Sequence, residues 1–541
     1  MELKGNIIDI IGKRIFKGIV TVKGKRISNI TEDLAVAEDS YILPGLIDSH
    51  IHIESSMLIP SEFARLASVH GTVATVSDPH EIANVMGADG VDFMIKNGNK
   101  VPFKFFFGAP SCVPATAFET SGAALDSQAV EKLLERDDVK YLSEMMNFPG
   151  VLNNDKEVWS KINAAKKLNK PIDGHAPGLK GEEAAKYVDA GISTDHECFT
   201  MDEALDKIKS GMMVQIREGS AAKNYESLKE LLKTNPENMM LCSDDRHPND
   251  LEREHMNALV KRALQDGYDL FDILQAMIVN PAKHYKLEVG LLQEGDFADL
   301  IIIDNLKNFK VLKTFVNGEL IAENGKTRII SIAEKAINKF HKNDISLEDL
   351  IISDVGKEIR VIQALDGELI TPSTQAKAKI ENENLVSDTE NDVLKMLVLN
   401  RYEPSKPAVG FIKGIGFKSG AIASSVAHDS HNIVAVGVSD EEILRAVQLV
   451  NESQGGISWV NGQKEDILEL SVAGIMSNKD ACDVAHQYDK MDKLAKSLGS
   501  SLNAPYMTLS FMALLVIPEL KLSDKGLFDG KTFSFVDIEV G

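Results

Sequence analysis

Two histidines one residue apart, His50 and His52, close the apolar run PGLIDSHIH, and Glu144, His175, His196 and Asp244 close four later runs of the same kind. Imidazole and carboxylate together suit Fe, Mn, Zn or Ni, and the ligand types do not choose among them. Alternate side chains of an extended segment share a face, so His50 and His52 can hold one ion together. His175 and His196, from neighbouring runs, would hold a second. Two ions about 3.5–4 Å apart can share a water, lower its pKa towards neutrality and clamp it for in-line attack. Asp244, the last of the series, would ligate one ion, accept the water's proton and pass it to a leaving group. Its carboxyl, ordinarily at a pKa of about 3.9, rises with burial and falls beside positive charge, and the sequence leaves that balance open.

Side chains so far apart in the chain meet only if a regular scaffold returns each run to the same end. Within 46–286, β-branched runs alternate with amphipathic stretches in eight strand–helix units. The expected strands are GLIDSHIH, TVATVSD, KFFFG, VKYLSEMM, PIDGHA, ISTDHE, MMVQIRE and MMLCSDD. Between them, helices are expected at EFARLASVH, SQAVEKLLER, DKEVWSKINAAKKL, GEEAAKYVDAG, MDEALDKIKSG and YESLKELLK. Eight such units predict a (β/α)8 barrel, which needs about 250 residues and carries its active site at the C-terminal strand ends. Every ligand candidate falls at one of those ends.

Residues 1–45 and 287–330 alternate around Gly-Lys turns and are expected to pair into one small antiparallel β domain, with the barrel inserted between them. Residues 340–541 have their own strand–helix rhythm and form a third, α/β domain; the polar stretch STQAKAKIENENLVSDTEND inside it reads as an exposed loop. The predicted fold is therefore α/β: a (β/α)8 barrel, a small β domain from both flanks and a C-terminal α/β domain.

Across the 541 residues, Lys+Arg 59 against Asp+Glu 81 leave a net charge of −22, which disfavours nucleic acid and anionic membrane as partners. A small, nearly neutral substrate fits better. Cys112, Cys198, Cys242 and Cys482 form neither a CxxC pair nor a dense framework and are read as packing residues in a reducing compartment. The start MELKGNIIDI has no basic region followed by a long apolar core, and FMALLVI at 511–517 falls far short of a span of about 20 residues; the cytoplasm is the expected location.

The order of two histidines, a carboxylate, two single histidines and a late aspartate at strand ends resembles the amidohydrolase superfamily. Within it, PGLIDSHIHIESS, SDPHE, SEMMNFPGV, DGHAPG, STDHE and CSDDRHP are similar to the adenine deaminase family, and the α/β tail resembles that family's C-terminal domain. The resemblance implies a metal-dependent hydrolase acting on a cyclic amidine, converting adenine to hypoxanthine and ammonia in purine salvage. It implies two divalent ions, Mn²⁺ or Fe²⁺ with Zn²⁺ as the alternative. Glu144 stands where many relatives carry a modified lysine, so a direct Glu144 bridge between the ions is expected. The expected partners are adenine and further copies of the chain, as a homodimer or higher homo-oligomer.

Deaminating adenine also requires a proton at the ring nitrogen beside the attacked carbon. The loop Asp78-Pro79-His80-Glu81, at the second strand end, is the candidate donor: Pro79 keeps Asp78 out of helical geometry and presents its neighbours at the rim. Donor and orienter are not separable from sequence. Arg217, Glu218 and Ser220, and likewise Asp245, Arg246 and His247, either contact the purine or lie at the surface. His428, Asp429 and His431 in SSVAHDSHN either reach the barrel mouth or form a plain turn. His52-Ile53-Glu54 matches half of the zinc nucleobase-deaminase signature, but P-C-x-x-C is absent. The glycines of GFIKGIGFKSG lack phosphate-loop spacing. The rival activities are a cyclic-amide hydrolase of the dihydropyrimidinase or hydantoinase kind and an inactive scaffold; six intact ligand positions count against the scaffold.

Overall fold

A computed structural model describes residues 1–353 and 356–540. Eight parallel strands form the barrel: Leu46–His52, Thr72–Ser77, Lys104–Ala109, Val139–Met145, Ile172–Gly174, Thr194–Asp195, Met213–Arg217, and an eighth made of Met239–Cys242 and Asp244–Asp245. The fifth and sixth are joined by Ser193 N donating to Ile172 O at 2.8 Å. The last returns to the first, with Asp244 beside Ile51 and Asp245 beside His52.

Two expected strands are shorter or more broken than their apolar runs suggest. The sixth keeps only Thr194–Asp195. The eighth is interrupted at Ser243, whose backbone N–H donates to Asp48 at 3.0 Å, and Asp244 beyond it has φ 53. That left-handed backbone, which an aspartate adopts more readily than most residues, turns the Asp244 side chain away from a regular strand direction. The expected helix YESLKELLK splits into Tyr225–Leu228 and Leu231–Thr234.

The two flanks share one sheet of eight strands. Leu300–Ile303 pairs antiparallel with Tyr41–Pro44, and Tyr41–Pro44 pairs with Glu2–Asp9 in parallel, so the sheet is mixed where an antiparallel one was expected. Tyr41–Pro44 leads directly into the first barrel strand. Another mixed eight-stranded sheet, running from Ser373–Lys377 to Lys464–Glu469, organises the C-terminal part. Its strand Val393–Leu399 is buried on both faces. Leu397 and Leu399 pack with Ile443, Ala446 and Val447 of the helix Asp440–Ser453, whereas Leu394, Met396 and Val398 join the large core that also contains the barrel.

The polar stretch 373–392 is not simply a loop. It contributes the edge strand Ser373–Lys377 and a small hairpin, Ile380–Glu381 with Asn384–Leu385. An edge strand is half exposed, so its polar residues masked the β periodicity. Cys112, Cys198 and Cys242 are buried, but Cys482 is exposed on the helix Ala481–Ser497 and is no packing residue. Among the described residues no helix is long and apolar enough to cross a membrane.

Candidate metal centre

Sheet register places the last strand's carboxylate against the first strand's histidines. His50 and His52 turn their Nε2 atoms to within 3.2 Å of each other, and Asp244 Oδ1 lies 3.3 Å from the first and 3.2 Å from the second. Glu144 faces two ways. Its Oε1 is 3.3 Å from His52 Nε2, while its Oε2 is 2.9 Å from His175 Nδ1 and 3.3 Å from His196 Nε2. The His196 ring stacks on His50 with centroids 4.0 Å apart, linking the two groups. All six side chains are buried.

Four buried imidazoles and two carboxylates with their heteroatoms turned on one another form a donor set that could hold divalent metal. His175 Nε2 and His50 Nδ1 have no hydrogen-bond partner among the described residues. Nitrogen and oxygen donors of this kind suit divalent first-row metals, and the residues fit such a centre. Burial opposes the charged forms throughout, yet the mutual pairing wins at most positions. Beside Asp244 and Glu144, His52 is held well above the usual histidine range. Glu144 is held well below the usual carboxylate range by His175, His196 and His52.

The balance left open for Asp244 is decided by a residue that sequence reasoning did not place there. Arg217 Nη1 lies 2.9 Å from Asp244 Oδ2, and together with His50 and His52 it holds the carboxyl well below its ordinary pKa against the effect of burial. The same guanidinium grips Glu197 with both terminal nitrogens, Nη2 at 3.1 Å. Glu197, next to His196 in STDHE, was the available signal. Lys207 was a second omission: its ammonium donates to Asp195 at 2.8 Å and to Ala176 O at 2.7 Å, tying together the strand ends that carry His196 and His175. In sequence it is one half of an ordinary i,i+4 pair with Glu203 on a helix.

The expected loop is cut short by the helix His80–Met86, so His80 and Glu81 stand in that helix's first turn; with Asp78 they reach the centre but not an exposed rim, because the C-terminal part covers them, and all three are buried. Asp78 accepts from His80 N at 3.0 Å and pairs with His80 Nδ1 at 3.0 Å. His80 Nδ1 is also 3.5 Å from Glu144, and its Nε2 is 3.4 Å from Asp429. Burial notwithstanding, Asp78 and Asp429 keep His80 well above its usual pKa. Glu81 turns the other way: one oxygen meets His428 Nδ1 and the other lies 2.5 Å from His431 Nε2. Against burial, these two histidines hold Glu81 well below the carboxylate range.

The His428/Asp429/His431 loop therefore reaches the barrel mouth. A narrow cavity of about 40 Å³ lies between the metal-ligand candidates on one side and Leu369, His428, Asp429, Phe511, Leu514 and Val516 on the other. The apolar run FMALLVI thus supplies a wall of this cavity. Arg217 and Asp245 also line it. Glu218 pairs with Arg262 at 3.0 Å, Ser220 with Asp250 at 2.6 Å and His247 with Tyr488 at 2.7 Å. Arg246 caps backbone carbonyls, including Glu254 O at 2.9 Å. None of these four borders the cavity.

The Amidohydrolase family profile matches residues 41–321, and the profile described as "Adenine deaminase C-terminal domain" matches 368–534. An adenine deaminase of Sulfurovum sp. is 54% identical over 538 residues, 99% of each chain. Those of Methanosarcina barkeri and Borreliella burgdorferi are 52% and 48% identical, again over 99% of both chains. The chain belongs to the adenine deaminase family. Its membership extends over the C-terminal part as well as the barrel, so the cavity is enclosed wholly by sequence that adenine deaminases share in length. As an adenine deaminase family member it is a metal-dependent hydrolase with a small-molecule substrate, and its clustered His, Asp and Glu side chains are those expected to hold divalent metal.

Proposed function

We propose that this chain converts adenine and water to hypoxanthine and ammonia, using His50, His52, Glu144, His175, His196 and Asp244 to hold two divalent ions, Mn²⁺ or Fe²⁺ before Zn²⁺. The observation that carries the activity is the whole-length similarity to adenine deaminases. The two-ion reading is supported by Glu144, whose two oxygens face separate histidine groups. Bound divalent ions lower the pKa of water and stabilise negative charge that develops during attack. The structural division 1–45 with 287–330, 46–286 and 340–541 is proposed with it, the cavity lying between the barrel and the last part.

Attack at the amino-bearing carbon forms a C–O bond, and loss of ammonia breaks the C–N bond. Asp244 has one oxygen turned to His50 and His52 and the other fixed by Arg217. It is placed to take the water's proton and return it to the departing amine. His80 is placed to protonate the ring nitrogen. It is bracketed by Asp78 and Asp429, acceptors on both ring nitrogens, which is the arrangement that favours imidazolium. Asp78 orients it, and Glu81 anchors the C-terminal loop through His428 and His431.

The test is ammonia release from adenine, adenosine, guanine and dihydrouracil by protein loaded separately with Mn, Fe or Zn. Adenine is expected to be the preferred substrate. Faster release from dihydrouracil would replace this reading with a cyclic-amide hydrolase. Copies of this chain, as a homodimer or higher homo-oligomer, are the proposed partners, checked by sedimentation.

A further inference from the structure

Glu54 follows His52 in the H-x-E order of the zinc nucleobase deaminases, yet it joins none of the side-chain groups that could hold an ion among the described residues. It is 2% exposed. Its Oε2 has no hydrogen-bond partner among the described residues, so burying this carboxylate is costly. Its Oε1 accepts from the backbone N–H of Ile82 at 3.2 Å.

Both ends of that hydrogen bond belong to segments that serve the centre. Glu54 stands in the turn Ile53–Ser56, which leaves the first barrel strand directly after His52. The turn is braced: Ser56 Oγ donates to Ile53 O at 2.6 Å, Met57 N to Glu54 O at 2.8 Å and Ser55 Oγ to Asp245 Oδ1 at 2.5 Å. Ser477 N of the C-terminal part donates to Met57 O at 2.8 Å and holds the turn from outside. Ile82 lies in the first turn of the helix His80–Met86, whose N-cap Pro79 offers no side-chain acceptor. The first-turn N–H of His80 goes to Asp78 at 3.0 Å, and that of Ile82 goes to Glu54. The start of the helix is thereby fastened on both sides of His80. Ile82 is buried, so without Glu54 its N–H loses an acceptor that water does not replace.

We propose that Glu54 is a positioning residue: from the end of the first barrel strand it sets the backbone of the helix that presents His80, and with it the reach of His80 to the substrate. This rests on the adenine deaminase reading, in which His80 protonates the ring nitrogen. Such a transfer needs donor and acceptor within about 2.6–3.2 Å. Asp78 fixes the imidazole through Nδ1 at 3.0 Å and holds the near side of the turn, and Glu54 holds the far side. Because the same segment bears His52, a metal-ligand candidate and the proton donor are set from one rigid point. A misplacement of about 1 Å caused from outside the reacting groups costs about 10² in rate.

The test is a double-mutant cycle on kcat with adenine: wild type, Glu54→Met, His80→Asn and the two changes together. Methionine fills a similar volume but lacks the carboxylate acceptor. Glu54→Met is expected to lower kcat about 10², with KM and metal content unchanged. In the His80→Asn background the same change should alter kcat by no more than about twofold, because no donor is left to misplace. Glu54→Gln keeps an acceptor oxygen of the same reach and is expected to stay within about tenfold of the wild type. A loss in Glu54→Gln of about 10² or more overturns the proposal, whether or not the methionine variant folds. A loss in Glu54→Met that persists undiminished beside His80→Asn, or that comes with loss of metal, overturns it as well, since Glu54 then serves the fold or the metal centre. A wild type that releases no ammonia from adenine overturns the deaminase reading and this proposal together; one that does so with a kcat unmoved by Glu54→Met overturns this proposal alone.

Discussion

The two walls of the cavity are built on different principles. On the barrel side, Glu144, His175, His196 and Asp244 are delivered by strand ends, and parallel register sets Asp244 beside Ile51, between the two histidines of the first strand. On the C-terminal side, His428, Asp429 and Phe511 come from one loop and the end of the helix Pro505–Phe511, held by buried cations such as Arg401 and Lys521. The barrel wall supplies charge and metal-binding chemistry, and the C-terminal wall supplies shape. Reactive groups therefore stand on the scaffold with the strictest geometry, while fit to the substrate rests on elements that can vary without disturbing it.

The sharpest break in that comparison is on the barrel side. Glu144→Gln and Asp244→Asn should each lower turnover by several powers of ten, since metal geometry and proton transfer fail together. Metal analysis should find about two ions per wild-type chain and fewer in Glu144→Gln. A fully active single-ion preparation would remove the bridging role. His80→Asn is expected to lower kcat by about 10²–10⁴ while both ions stay bound; an accompanying loss of metal would make His80 a ligand.

Where the walls meet, the Glu81–His428 pair couples them. Burial opposes the charge on His428, but Glu81 and Asp245 raise its pKa to about 9, against about 6.5 when unfolded. Its contribution is therefore fully present below about pH 6.5 and is lost as pH rises through about 9. Glu81, depressed by the same contact, loses its contribution only as pH falls below the ordinary carboxylate range. His428→Asn should cost about 1.5–3 kcal/mol near pH 6 and much less at pH 10, with metal content unchanged. Urea unfolding at the two pH values measures it, and an equal loss at both would uncouple the walls.

The smallest effect is expected deepest in the C-terminal wall. Lys521 donates to Leu369 O and Phe511 O, both at 2.9 Å, and burial pushes its pKa down to about 7. A folded pKa below the unfolded one means that the folded chain binds fewer protons between about pH 7 and 10, so this group makes stability rise with pH there. Lys521→Met should flatten that rise and change KM for adenine more than kcat. A changed metal content would contradict the separation of the walls.

The barrel side was legible because β-strands write their register into sequence. A His-x-His pair at the end of an apolar run necessarily places both rings on one face, and βα alternation returns each later ligand to the same end. The supporting groups were not legible for the opposite reason. Arg217 and Lys207 look in sequence like a strand-end arginine and a helix-surface lysine, and only packing shows them buried against Asp244 and Asp195.

From sequence alone came the barrel, the six ligand candidates in order and the acid-base candidates Asp78, His80 and Glu81, since each depends on local periodicity and on chemistry carried by the residue type; that His80 and Glu81 open a helix did not. Only the tertiary structure decided that Asp244 is held ionised by Arg217, that Glu81 turns to His428 and His431, and that FMALLVI is the wall of a cavity. These depend on contacts between segments hundreds of residues apart, such as Glu81 with His428 at a separation of 347. No local pattern encodes such a contact, because its energy arises only when both partners leave water together.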